Sequence, residues 1–223
     1  MRNSVFLSTE KHMAKALSNT QIVRAAVVVV GGFLASGVLG LVRTAAFSAT
    51  FGTSEALDAF YAAQNIPEIL FVLVAGGALG SSFIPVFARF LTAGDQAGAW
   101  RLASAVMSCV AVLAAVLALL IGVFAPVLIP MLVPEAPPTM QALTIDLTRV
   151  MLITVVIFSV SGLLMGILNA QQIFTLPALA LAFNNLGQIF GALVLVPLLP
   201  AEAKIYGLAL GAILGAVLHL VVQ

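Results

Sequence analysis

Charge is scarce in this sequence: of its 223 residues, 8% are Asp, Glu, Lys or Arg, while 62% are hydrophobic. A soluble domain carries about 25% charged residues and needs them to cover its water-facing surface. Water is therefore excluded as the solvent for most of this chain, and lipid is implied. The net charge of +1 leaves no basic footprint for nucleic acid. A single cysteine, Cys109, excludes an internal disulfide and a cysteine-only zinc site. It lies in an apolar run, as a small core or lipid-facing side chain. The two histidines, His12 and His219, stand about two hundred residues apart, without the company a metal site needs. There is no phosphate loop and no serine elbow. Enzyme chemistry and cofactors are not expected.

The apolar runs are long. About 20 apolar residues cross a bilayer as a helix, and six stretches qualify: about 22–51, 56–90, 99–128, 143–168, 174–199 and 205–222. The fold class is all-α, a polytopic membrane helix bundle of about six transmembrane helices. Residues 1–20, with Arg2, Lys11 and Lys15, read as a cytoplasmic lead-in. They do not resemble a cleavable signal peptide, because the following run is too long for one. The second stretch would be about 52 Å long as one helix against a core of about 30 Å. It is expected to bend, at Pro67 or at Gly76-Gly77. Arg2, Lys11, Lys15, Arg24, Arg89 and Arg101 fall on one side and Lys204 alone on the other. This asymmetry places both termini in the cytoplasm. Trp100 beside Arg101 suits an interfacial anchor. Glycines recur every fourth residue at Gly162 and Gly166, at Gly187 and Gly191, and at Gly207, Gly211 and Gly215. Such spacing lets helix backbones approach closely.

Polar residues inside these spans define the candidate site. A charge near the bilayer centre costs about 2.5–3.5 kcal/mol, so it defaults to a cavity or a partner. Ser36, Gly40, Arg43, Phe47 and Thr50 share one face of span 1. That face reads as lining a wet cavity, with Phe47 as a bulky exception; the alternative is that Arg43 snorkels to the interface. Asp58, Tyr61, Asn65 and Glu68 form a second stripe on span 2. Glu68 has no local partner; it either pairs with Arg43 or titrates as a proton carrier. Asp146 and Arg149 are an i, i+3 pair that can neutralise itself near the membrane boundary. Asn184, Asn185 and Gln188 on span 5 are explained by interhelical hydrogen bonds.

Residues 36–61, SGVLGLVRTAAFSATFGTSEALDAFY, resemble the opening of the MurJ/MviN family within the multidrug/oligosaccharidyl-lipid/polysaccharide exporter superfamily. The resemblance continues through IPEIL (66–70), GGALGSSFIPVF (76–87), GILNAQQIFTLPALA (166–180) with Asn185, and IYGLALGAILGAVLHLVVQ (205–223). It implies a two-lobed fold around a central cavity, of which this chain is the N-terminal lobe. It further implies a lipid II flippase of the bacterial cytoplasmic membrane, working by alternating access on a pyrophosphate-linked saccharide. Arg43 matches a family cavity arginine, Asp58 the aspartate of the family's DAF motif, and Arg149 a basic position in span 4. The substrate-binding set so implied is Arg43, Asp58, Asn65, Glu68, Arg149 and Asn185. The chain departs from the family at Gly37, Phe71, Val72 and Gly76, where charged residues are common. The two-lobed fold also needs more spans than six, so a fragment with a missing C-terminal lobe is expected. The alternatives are a polysaccharide or drug exporter of the same superfamily, or a non-transporting membrane scaffold.

Overall fold

A computed structural model describes residues 19–72 and 82–223, with the backbone alone at 19–26, 28 and 71. The described residues contain helices and no strand. In chain order these are α1 (Asn19–Phe51), α2 (Glu55–Phe71), α3 (Ile84–Thr92), α4 (Gln96–Leu132), α5 (Pro138–Met151), α6 (Ile153–Ala170) and α7 (Thr175–Phe190). A π-helical turn, Gly191–Leu195, carries α7 into the short α8 (Val196–Leu198). A 3₁₀ turn (Ala201–Ala203) then leads into α9 (Lys204–Val222).

Among the described residues, five segments are long and apolar enough to cross a membrane: Val29–Phe51, Gln96–Leu132, Pro138–Ala170, Thr175–Leu198 and Ala201–Val222. They correspond to five of the six stretches read from hydropathy. The remaining stretch contains α2 and α3, with residues 73–81 between them outside the description, and Gly76-Gly77 with them. Pro67, one of the two expected bend sites, is buried inside α2, and the helix continues past it to Phe71. The span expected over 143–168 begins earlier, at Pro138, and its helix is interrupted at Leu152. There Thr154 Oγ1 donates to the Met151 carbonyl at 2.6 Å, a side-chain bond of the kind that competes with regular helix bonding.

Local chemistry fixes the helix starts. Ser54 caps α2 by accepting from Leu57 N at 3.4 Å, with Glu55 and Asp58 in the first turn. Those acids complement the positive end of the helix dipole. Asp95 caps α4 by accepting from Gly98 N at 2.8 Å. The preceding turns use Gly52 at φ +59° and Gly94 at φ +77°, where a side chain would be strained.

Two apolar clusters hold the bundle together. Leu70, Phe83, Phe87, Ala114, Ile129, Val155 and Leu163 join the end of α2 to α3, α4 and α6. Phe47, Phe60, Leu147, Met151 and Leu208 join α1, α2, α5 and α9. Large apolar side chains also cover the outside: Leu41, Leu119, Met131 and Leu198 are each more than two-thirds exposed. In water such a surface would drive aggregation; in a bilayer it is the solvated face. Glycine governs the tightest helix pair. α9 packs on α7 and its π-helical turn, and a Cβ placed on Gly191 would stand 2.5 Å from Gly211 Cα and 2.7 Å from the Gly207 carbonyl oxygen.

Candidate substrate cavity

Within the bundle, α1, α2, α6, α7 and α9 enclose a polar pocket of about 400 Å³. Arg43, Gln64, Glu68, Thr154, Asn184, Gln188 and His219 supply its polar lining. Arg43 is the sole Lys or Arg lining it among the described residues. Its Nε is buried without a hydrogen-bond partner among the described residues. Its guanidinium carbon lies 5.9 Å from the Phe47 ring centroid, within cation–π range. Phe47 is fully buried and meets Phe60 edge-on at 5.6 Å. The bulky exception on the Arg43 face is thus the packed shelf on which the arginine rests.

Glu68 shares this pocket with Arg43, yet the two form no ion pair; among the described residues the one ion pair is Asp146–Arg149. Glu68 also lines a second recess of about 630 Å³ with Asn65, Ile69, Val72 and Leu132. Glu68 thus borders both spaces. The span 2 stripe does not act as one surface. Asn65 reaches only the second recess, Tyr61 packs with Phe47 at 6.5 Å and Phe60 at 5.9 Å, and Asp58 is exposed in the first turn of α2.

Two of the sequence-derived candidates lie elsewhere. Asn185 Nδ2 donates to the Ser36 carbonyl at 3.1 Å, to Ser36 Oγ at 3.2 Å and to the Leu181 carbonyl at 3.3 Å. This is an α1–α7 clamp, and a Cβ on Gly40 would face Asn185 Oδ1 at 3.9 Å. The Ser36–Gly40 part of the span 1 face therefore packs against a helix and does not line a wet cavity. In low dielectric a buried amide is costly unless paired, and these backbone and hydroxyl acceptors satisfy it. Arg149 Nε donates to the Gly122 carbonyl at 3.0 Å, and its Nη1 lies 3.8 Å from Asp146 Oδ1. It lines a separate open groove with Leu119, Val123 and Ile153.

Sequence reasoning passed over the α9 side of the pocket. His219 is buried, its Nδ1 is 2.7 Å from Ser161 Oγ, and Ser161 Oγ is 2.7 Å from Gln223 Oε1. The ring meets Phe158 edge-on at 5.4 Å. The signal available was helical spacing: Gly215 and His219, like Asn184 and Gln188, are four residues apart and share a face.

An all-α bundle with an apolar exterior and a cation-bearing polar pocket between its helices defines a multi-pass membrane protein built around an internal chamber. Comparison with known proteins makes the assignment specific: the family described as "Lipid II flippase MurJ" matches residues 47–223, and the chain belongs to that family. It is 33% identical over 202 residues to the lipid II flippase MurJ of Burkholderia cenocepacia, covering 90% of this chain and 39% of the relative. It is 33% identical over 218 residues to a probable lipid II flippase MurJ of Bdellovibrio bacteriovorus, covering 93% of this chain and 40% of that protein. A probable lipid II flippase MurJ of Thermotoga maritima is 29% identical over 162 residues, 73% of this chain and 34% of its own length. The chain thus spans about two-fifths or less of these relatives.

Proposed function

We propose that this chain is the N-terminal lobe of a lipid II flippase, and that Arg43 is its contact to the pyrophosphate of the lipid-linked saccharide. The observation that carries this is a buried arginine Nε without a hydrogen-bond partner among the described residues, at a pocket where Arg43 forms no ion pair with them. A cation left unpaired in low dielectric is costly unless an anion completes it. An arginine offers phosphate two parallel hydrogen bonds, each charge-assisted. Glu68 lines the same pocket, and its carboxylate repels the same anion. A second lobe closes the chamber, and rocking of the two gives alternating access. In this reading Asn65 and Glu68 border the path, while Asp58 lies at its mouth. Asn185 and Arg149 contribute by holding α1 on α7 and α5 on α4.

The test is rescue of bacteria depleted of their lipid II flippase. The chain is produced alone and also fused to the remaining length of the Burkholderia cenocepacia relative. Growth restored by the fusion supports the lobe assignment. A fusion that reaches the membrane in normal amount without restoring growth overturns it and favours the scaffold reading.

We place the protein in the bacterial cytoplasmic membrane with its N-terminus in the cytoplasm, on the basic asymmetry of the loops. Reporter fusions after Gln171 are expected to read cytoplasm, and fusions after Glu135 periplasm. The reverse pattern refutes the orientation.

A further inference from the structure

We propose that Gln188 and His219 form a neutral, hydroxyl-binding subsite in the pocket that Arg43 also lines, and that it takes the sugar portion of a lipid-linked saccharide. The proposal rests on the reading of Arg43 as the pyrophosphate contact and adds a second contact of different chemistry.

Three observations carry it. Gln188 is 97% buried and lines the pocket, and its Oε1 has no hydrogen-bond partner among the described residues. Its amide nitrogen makes one long bond, to Asn184 Oδ1 at 3.5 Å. Exchanging the oxygen and nitrogen of both amides keeps that bond and still leaves one Gln188 atom unpaired. A buried polar atom without a partner costs about 1–3 kcal/mol, so its retention calls for a partner that arrives. The terminal amide torsion is soft, so the amide can turn to meet a partner in the pocket that Gln188 lines.

His219 is the second group. With the Gln223 amide as placed, the single Ser161 hydroxyl proton goes to Gln223 Oε1. The Nδ1 of His219 must then carry a hydrogen and donate to Ser161 Oγ. That leaves Nε2 as an acceptor with no protein partner among the described residues. Third, the chain holds this pair in place. Asn184 lies against α9 so closely that a Cβ on Gly215 would stand 2.7 Å from Asn184 Oδ1. Only glycine there lets α7 bring its amides to the pocket beside His219.

A hydroxyl both donates and accepts, so it satisfies Gln188 in either amide orientation and His219 at Nε2. An anion only accepts, so it could satisfy these atoms only where they carry hydrogen, and an apolar group would leave them unpaired in either orientation. The chemistry selects a neutral, hydroxyl-bearing group, and the volume of about 400 Å³ lies in the range of small-ligand sites.

The test compares two lipids on the purified protein in detergent: lipid II, and the same polyprenyl pyrophosphate without its saccharide. Gln188→Met keeps the side-chain length and removes the unpaired amide. His219→Phe keeps the ring against Phe158 and leaves the Ser161 hydroxyl bonded to Gln223. Each variant is expected to weaken lipid II binding roughly three- to tenfold. The bare pyrophosphate lipid should bind unchanged, and the melting temperature should hold. The second variant keeps the question open to test if the first fails to fold. Equal loss for both lipids, or no loss for lipid II, overturns the subsite while the Arg43 reading stands; the latter result would leave water as the occupant. If the unsubstituted protein binds neither lipid, the pyrophosphate reading fails and this inference with it.

Discussion

Replacing Arg43 by alanine is expected to abolish growth rescue by the fused protein while its amount in the membrane stays normal. Lipid II binding should fall roughly ten- to a hundredfold, the range expected for removing a charge-assisted hydrogen bond. The expectation follows from the pocket: Arg43 is its sole Lys or Arg among the described residues, and its Nε has no hydrogen-bond partner there. Removing it leaves Glu68 facing a pyrophosphate with no compensating cation. Abundance should hold because the fold does not lean on the guanidinium. Phe47, beneath it, is fixed by Phe60 and Tyr61. Arg43→Lys should restore part of the binding, since an ammonium carries the charge without the planar fork. Both lipids of the binding test should suffer alike with Arg43→Ala, because pyrophosphate is common to them. Normal rescue by the alanine variant would remove Arg43 from the mechanism.

Gly191→Val and Gly211→Val are each expected to lower the unfolding free energy by about 1–3 kcal/mol, and more if the backbones cannot separate. In lipid, helices gain little from burying apolar surface, so close packing carries much of their association. At this crossing the backbones themselves touch, and a Cβ on Gly211 would stand 2.7 Å from Gly191 Cα. The two substitutions disturb one contact, so the double variant should cost less than the sum of the singles. Gly31 and Gly37 are the controls. A Cβ on either meets nothing within 4 Å, so alanine there should stabilise slightly, by about 0.5–1 kcal/mol from helix propensity. Denaturant titration of the purified protein in detergent, read by circular dichroism, separates the two classes. Equal effects at Gly191 and Gly31 would show that the crossing is looser than its glycines imply.

Much of the architecture was legible in the residues because a bilayer imposes a simple rule. Every backbone polar group must be satisfied within the segment, so long apolar runs become helices. Five of the six runs are spanning segments of the described structure. Periodicity also placed Arg43 and Glu68 on inward faces, and both line the pocket. The same periodicity failed for Ser36, which takes the interhelical hydrogen bond expected of Asn185. A polar stripe facing water and one facing another helix have the same spacing, and only the partner helix tells them apart. Arg149 shows this in another form. Its i, i+3 partner Asp146 is in the sequence, but the Gly122 carbonyl that takes its Nε proton is 27 residues away.

By itself, the sequence determined the solvent, the all-α class and the number of long apolar runs, because composition and period act locally. It also determined the family, through motifs that lie in order along the chain. Tertiary structure decided which polar residues share a chamber. Arg43, Glu68, Gln188 and His219 come from four helices, and no spacing along one helix encodes their meeting. It decided, too, that glycine at 191 and 211 serves backbone contact while glycine at 31 and 37 meets open space. The physical reason is that a glycine's role is set by the atoms opposite it, and those belong to another part of the chain.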